Sequence, residues 1–125
     1  MDSKTVARIL GVIFIAVGVL GFIPNPPNPL VSAGGLFHVD AAHNLVHLVT
    51  GGLLLFVASN AMLKIVGVLY AVVAVLGLVT YGAPTLLFGY IAMNTADSWL
   101  HLILAVVILA AGWMTSDPAP STTSI

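Results

Sequence analysis

Four long apolar runs alternate with short polar stretches along the chain. The runs cover roughly residues 6–23, 45–58, 65–79 and 99–114, and with its flanking turns each becomes a helix of about 20 residues, enough to span ~30 Å of hydrocarbon. Lipid offers the backbone no hydrogen-bond partners, and runs this continuous lack the alternation of barrel strands. The pattern therefore predicts an all-α fold, a four-helix transmembrane bundle.

The predicted boundaries follow from the polar residues between these runs. We expect a single transmembrane domain over residues 1–115, followed by a short disordered cytoplasmic tail over 116–125 that is rich in Ser, Thr and Pro. The helices of the domain are predicted at about 5–23, 41–59, 62–80 and 95–114.

The chain also contains an internal repeat. Residues 11–21 match residues 67–77 at an offset of 56, and residues 40–48 match residues 94–102 at an offset of 54. The repeat predicts two tandem helical hairpins of the same orientation, and we expect a pseudo-twofold axis along the membrane normal to relate them. The competing interpretation is a cleaved N-terminal signal peptide, which would break this match.

Composition and charge narrow the class of protein. Of the 125 residues 60% are hydrophobic and 6% are charged, which excludes a water-soluble domain. A net charge of −1 leaves no basic surface for nucleic acid, and the absence of cysteine excludes disulfides, thiolate nucleophiles and iron–sulfur clusters. Lys4, Arg8 and Lys64 all fall on one predicted side, so the positive-inside rule makes both termini cytoplasmic.

Polar residues gather at the predicted starts of the second and fourth helices. His43 and His47 are spaced i, i+4 on one helical face, and Asp97 and His101 repeat that spacing in the second half. If these helices meet, the four side chains converge and suit a transition metal ion: Zn, Cu, Fe or Mn. The residues expected to cap the helices or support the ligands are Asp40, Asn44, Asn94 and Ser98.

Other interpretations of the same residues stay open. His47 and His101, at equivalent depth in the two halves, suit axial ligation of a haem or single ligation of a chlorin. His38 is a further loop ligand to consider. The plainer interpretation is a structural network of neutral, hydrogen-bonded side chains, and a proton relay or pH sensor is a fourth.

Two segments resemble a known family. Residues 36–48, which contain His-Asn-Leu-Val-His, and residues 93–102, which contain Asn-Thr-Ala-Asp-Ser-Trp-Leu-His, resemble the signature segments of an uncharacterised bacterial membrane-protein family catalogued as domain of unknown function 4383. The chain departs from that family at Ser98, where the family usually has Asn. The resemblance implies a four-helix protein of the bacterial inner membrane, with signature residues His43, Asn44, His47, Asn94, Asp97 and His101. It implies no activity.

Three functions are compatible with the sequence. The first is binding of a transition metal. The second is a non-catalytic accessory or structural subunit, packed against a larger membrane complex or a second copy, because the connection over residues 82–93 is too apolar for a solvated loop. An enzyme or transporter is the least favoured, since the chain has no catalytic triad, phosphate-binding loop or paired carboxylates.

Overall fold

Four helices and two small sheets make up the computed structural model, which describes residues 1–80 and 85–122. Residues 82–84 of the apolar connection and 123–125 of the predicted tail lie outside the described residues. The prediction of an all-α four-helix bundle is confirmed. In chain order the elements are α1 (Ser3–Leu20), β1 (Val31–Ser32), β2 (Phe37–His38), α2 (Ala41–Phe56), α3 (Asn60–Thr80), β3 (Thr85–Leu87), β4 (Ile91–Met93) and α4 (Thr95–Met114).

Three of the helices are long and apolar enough to cross a membrane. α1, α3 and α4 have 18, 21 and 20 residues and mean hydropathies of 1.9, 2.5 and 1.7. α2 is apolar but has 16 residues, which is about 24 Å of helix. Their outward faces expose Val, Leu and Ile side chains along the length of the bundle. The chain is a membrane protein.

The helices pack chiefly in two pairs, α1 with α2 and α3 with α4, and glycine allows the close approach in both. A Cβ on Gly11 would lie 2.7 Å from the carbonyl oxygen of Gly51 and 2.9 Å from the backbone nitrogen of Leu55. A Cβ on Gly67 would lie 2.6 Å from Cγ of Leu109. Gly11 and Gly67 are equivalent positions in the repeat, and so are Leu55 and Leu109. The pseudo-twofold axis itself stays a prediction.

The two ends of the bundle differ in chemistry. We call the end where α2 and α4 begin the loop end, because residues 21–40 and 85–94 lie there, and the opposite end the terminal end. Apolar side chains fill the half towards the terminal end, among them Leu54, Leu63 and Ile108, each 0% exposed. The buried polar residues of α2 and α4 occupy the half towards the loop end.

Each loop-end segment forms one small sheet. β1 and β2 pair in parallel, with Val31 opposite Phe37, whereas β3 and β4 form an antiparallel hairpin with Leu87 opposite Ile91. Phe88 and Gly89 at the hairpin tip both have positive φ, 55° and 78°, as a type I′ turn requires. Ala92 and Met93 of β4 are buried, so the hairpin lies against the loop end of the helices.

Hydrogen bonds close the terminal end. The Ser116 carbonyl accepts from the Ser3 backbone N–H at 3.1 Å. The Asp117 carboxylate accepts from the Ser3 hydroxyl and, at 2.6 Å, from the backbone N–H of Asn60. These hydrogen bonds, that from Ser3 above all, lower the pKa of Asp117 below its ordinary value of 3.8. The start of the predicted tail is thereby tied to the first turns of α1 and α3.

Candidate functional site

The caps of α2 and α4 position the polar residues at the loop end. Asp40 Oδ1 accepts from the His43 backbone N–H at 2.9 Å, and Asn94 Oδ1 accepts from that of Asp97 at 2.9 Å. Each cap also reaches the other half of the chain. Asp40 Oδ2 accepts from the Ala92 N–H at 3.1 Å, and Asn94 Nδ2 donates to the Leu36 carbonyl at 2.9 Å. The starts of both helices are thus held beside each other and under the loops.

Three histidines meet between α2 and α4. The rings of His43 and His47 stack with centroids 5.0 Å apart, and the centroid of His101 lies 5.5 Å from the first and 5.7 Å from the second. One ring nitrogen from each residue lies within 4.8 Å of the other two. All three side chains are buried, so the arrangement is a compact imidazole cluster in the interior of a membrane protein.

Backbone carbonyls assign the tautomers of two of these rings. Nδ1 of His43 lies 2.6 Å from the Ala92 carbonyl oxygen, and Nδ1 of His101 lies 2.8 Å from that of Asp97. A carbonyl oxygen only accepts, so both neutral rings carry their proton on Nδ1 and have a lone pair on Nε2. A histidine that ligates a metal usually donates its other N–H in this way, which fixes the ring and raises its basicity.

Asp97 lies at the edge of the histidine cluster. Its Oδ2 is 3.3 Å from His101 Nδ1 and 3.7 Å from His43 Nε2, but among the described residues it accepts no hydrogen bond. The His101 N–H points instead at the Asp97 backbone carbonyl. The carboxylate therefore acts on the cluster mainly by its charge, and direct ligation by Asp97 stays a prediction.

The two remaining candidates support helix packing. A Cβ on Gly21 would lie 1.9 Å from Asn44 Oδ1, and a Cβ on Gly77 would lie 2.2 Å from Ser98 Oγ. Asn44 therefore packs against the end of α1, and Ser98 against α3, at repeat-equivalent positions. Over residues 1–80 and 85–122, neither side chain is hydrogen-bonded to the three imidazoles.

His38 lies apart from the cluster. It belongs to β2, and its Nδ1 accepts from the backbone N–H of Gly34 at 3.0 Å. The group of three ligand atoms does not include it. His38 therefore supplies a histidine outside the candidate site, useful as an experimental control.

Tyr70 of α3 is a site residue that the sequence analysis missed. Its ring centroid lies 5.2 Å from that of His101 and 6.2 Å from that of His47. Its hydroxyl is buried and has no hydrogen-bond partner within the described part of the chain. The internal repeat could have indicated Tyr70, because the equivalent residue of the first half is Phe14. The second half therefore has one additional hydroxyl on an otherwise apolar helix face.

A cavity of about 50 Å³ adjoins the cluster. All three histidines and Tyr70 line it, and Asp97 does not. The rest of the lining is apolar: Val46, Val73, Leu87, Ile91 and Met93. Val46, one of these lining residues, is 42% exposed on α2.

Comparison with known proteins supports the resemblance found in the sequence. Neither a search of curated proteins nor a search of solved structures produced a match. The model of the family described as Domain of unknown function (DUF4383) matches residues 4–114. That span includes α2, α3, α4, all of α1 except Ser3, and every residue of the histidine cluster. The chain therefore belongs to the DUF4383 family, as its two signature segments predict.

Proposed function

We propose that this protein is a multi-pass protein of the bacterial inner membrane that binds one divalent transition metal ion, Zn, Cu, Fe or Mn, between α2 and α4. The ligands are His43, His47 and His101, and Asp97 balances part of the charge. The observation that supports this most is the convergence of three buried imidazoles, with one ring nitrogen each inside 4.8 Å.

The spacing of the ring nitrogens fits a metal. Metal–nitrogen bonds of about 2.0–2.1 Å at tetrahedral angles put neighbouring ligand atoms about 3.3–3.4 Å apart. His43 Nε2 and His47 Nε2 are 3.2 Å apart. A ring nitrogen of His101 lies within 4.8 Å of a nitrogen of each of the other two rings, so the His101 ring would move inward by up to about 1.4 Å to reach the same spacing.

The polar atoms around the cluster also favour a cation. The lone pair of His43 Nε2 and the Asp97 Oδ2 atom are both acceptors, yet they lie 3.7 Å apart in a buried site. His47 Nδ1 is buried and, in the described ranges, has no partner. Unpaired polar atoms are costly away from water, and a bound metal would offset the repulsion between acceptors. In a purely structural network the His47 Nε2–H donates to His43 Nε2 at 3.2 Å, whereas Asp97 Oδ2 and His47 Nδ1 stay unpaired among the described residues.

The tetrapyrrole alternative fits the site less well. A drug-sized ligand needs a pocket of roughly 300 Å³ or more, and the cavity here holds about 50 Å³. Aromatic side chains also crowd the two histidines, since Phe14 lies 5.4 Å from His47 and Tyr70 lies 5.2 Å from His101 between ring centroids. A haem or chlorin would have to displace these aromatic side chains.

The proposed orientation puts the terminal end in the cytoplasm. Lys4, Arg8 and Lys64 belong to that end, whereas residues 24–40 and 80–96 contain no Lys or Arg. Lys64 Nζ lies 5.3 Å from the ring centroid of Trp113, a pairing suited to the membrane interface. A reporter fused to the C-terminus should report the cytoplasm, and an external signal would overturn this orientation.

The metal proposal is tested on protein purified in mild detergent without added metal. Elemental analysis should find about one equivalent of metal per chain. His47→Ala and His101→Ala should each lose it, whereas His38→Ala, the matched control outside the cluster, should retain it. Asp97→Asn should weaken binding by about 10–100-fold, as is usual for residues that support the ligands.

A stability measurement separates a metal site from a structural network. A chelator should lower the midpoint of thermal unfolding of the wild-type protein and of His38→Ala, but not that of His47→Ala. The metal proposal fails if the wild-type protein contains no metal and takes up none of the four ions on dialysis. Metal-free protein that co-purifies with a larger membrane complex, or as a stable homo-oligomer, would support the accessory-subunit function instead.

A further inference from the structure

The cavity beside the histidine cluster has an apolar wall. Aliphatic and thioether side chains from three elements form most of it: Val46, Val73, Leu87, Ile91 and Met93. Tyr70 contributes its ring, because its hydroxyl lies beside Thr50 of α2. Packed interiors contain few voids larger than a water molecule, and voids with apolar walls stay dry and bind apolar molecules.

The histidines contribute ring carbon to this wall. Nδ1 of His43 donates to the Ala92 carbonyl at 2.6 Å, and Nδ1 of His101 donates to that of Asp97 at 2.8 Å. Nε2 of His43 and Nε2 of His47 lie 3.2 Å from each other. The wall is therefore almost wholly carbon. Because a buried water needs two to four polar partners, this cavity is unsuited to water and to ions.

The volume limits the ligand to a very small molecule. About 50 Å³ exceeds the roughly 10–15 Å³ that one water requires, and it is about a third of the ~150 Å³ of an apolar cavity that binds benzene. An uncharged molecule of two heavy atoms lies between these limits. Dioxygen, nitric oxide and carbon monoxide belong to this class. They dissolve in hydrocarbon, so they reach the interior of the bundle from the lipid without a water-filled entrance.

The cavity also adjoins the proposed metal. His43, His47 and His101 line it, and the same three rings supply the proposed ligand nitrogens. Three imidazoles leave one position of a tetrahedral metal open. The Asp97 carboxylate lies beside His101 Nδ1 and does not line the cavity. A molecule in the cavity is therefore next to the metal and apart from the carboxylate.

We infer that this cavity is a binding site for one uncharged diatomic gas molecule, which it holds beside the metal between α2 and α4. The wall selects the ligand by size and low polarity, and the metal supplies the open position at which the ligand binds. Binding in the cavity depends on the wall alone. Binding at the metal rests on the proposed function and adds its ligand class.

Xenon tests the cavity without the metal, because it is an uncharged apolar atom that enters dry cavities. Metal-free, full-length protein in detergent is examined by xenon NMR, and we expect a saturable signal from bound xenon. Val73→Phe fills the cavity and should abolish that signal. Val72→Phe is the matched control, since Val72 is the neighbouring residue of α3, is 51% exposed and does not line the cavity.

Nitric oxide tests the position beside the metal. Full-length protein is loaded with Fe²⁺ in the absence of oxygen and titrated with nitric oxide, and binding to iron is followed by electron paramagnetic resonance. We expect one nitric oxide per iron. Val73→Phe should retain iron and bind nitric oxide at least about tenfold more weakly, because the phenyl ring occupies the space of the ligand. Val72→Phe should bind it like the wild type.

The possible results separate this inference from the metal proposal. Wild-type protein without bound xenon, or equal xenon binding in Val73→Phe, overturns the cavity site and leaves the metal site standing. Iron-loaded protein that binds no nitric oxide, or binds it equally in Val73→Phe, overturns the gas site beside the metal. Protein that binds xenon but no metal overturns the metal proposal and supports the cavity. If Val73→Phe does not fold, Leu87→Phe fills the cavity from the β3–β4 hairpin and takes its place in both titrations.

Discussion

Adjacent glycines on α2 allow a direct test of how closely α1 and α2 must approach. A Cβ on Gly51 would lie 2.8 Å from the Gly11 carbonyl oxygen and 2.9 Å from the Ile15 backbone nitrogen, whereas a Cβ on Gly52 would meet nothing within 4 Å. The nearest atom is Ile15 Cγ1 at 2.7 Å, a side-chain atom that can move, but the other two contacts are with backbone, which cannot rotate away. We therefore expect Gly51→Ala to destabilise the protein and Gly52→Ala to spare it.

The magnitude follows from the distances. An ordinary van der Waals contact begins at 3.4 Å, and a Cβ on Gly51 would lie 2.8 Å from the Gly11 carbonyl oxygen. The helices must therefore separate locally by about 0.6 Å, and a gap of this size loses about a quarter to a half of the dispersion energy of each affected contact. Overpacking of this kind costs about 1–3 kcal/mol, and alanine returns at most about 1 kcal/mol of helix propensity. Gly51→Ala should lower the free energy of unfolding by up to about 2 kcal/mol after this return. Gly52→Ala should raise it by about 0.5–1 kcal/mol.

Equilibrium unfolding in detergent, followed by circular dichroism during titration with sodium dodecyl sulfate, measures both variants under one condition. Lipid tails are as apolar as the helix surfaces, so the hydrophobic effect does not drive the helices together. Packing contacts between helices are therefore the main source of stability in lipid. The reasoning is refuted if the two substitutions change the unfolding free energy equally, or if Gly51→Ala is the more stable variant.

Two further predictions concern the ends of the bundle. The pKa of Asp117 is lowered first by the hydrogen bond from the Ser3 hydroxyl and then by that from the Asn60 N–H. The ionised carboxylate therefore stabilises the folded protein above pH 3.8, the ordinary pKa of Asp, and this stabilisation is lost as pH falls through the lower pKa of the folded state. Acid unfolding of Asp117→Asn should therefore be less steep below pH 4 than that of the wild type, and a parallel profile would contradict this contribution. At the loop end, Asn28 Nδ2 donates to the Leu20 carbonyl at 3.0 Å and Oδ1 accepts from the Val31 N–H at 3.2 Å, so Asn28→Ala should lower the thermal midpoint through a loss of about 1–3 kcal/mol. An unchanged midpoint would show that water replaces these bonds.

Much of the fold followed from local patterns. Long apolar runs predict helices because lipid permits few other structures, and the positions of the few charges predict where the helices end. The spacing of His43 and His47, and that of Asp97 and His101, places each pair on one helical face because a helix advances 3.6 residues per turn. The repeat places the two pairs at equivalent positions of the two halves, at an offset of 54 residues.

The tertiary structure decided which of these residues meet. Helical periodicity places a side chain on a face of its own helix but leaves open how the neighbouring helix is rotated or how far along it lies. For this reason Asp97 shares a helical face with His101, yet its carboxylate lies beside His101 Nδ1, the nitrogen that donates to the Asp97 carbonyl. His38, for the same reason, lies outside the cluster.

The sequence by itself therefore determined the class of protein, its family and the set of polar residues near the loop end, because each depends on local composition, motif and helical period. Only the tertiary structure brought Tyr70 from α3 to the histidines and the Ala92 carbonyl from β4 to His43 Nδ1. Those contacts join residues far apart in the chain, and they depend on how α3 and the β3–β4 hairpin pack against α2 and α4. The cavity that these elements enclose has no counterpart in any local pattern of the sequence.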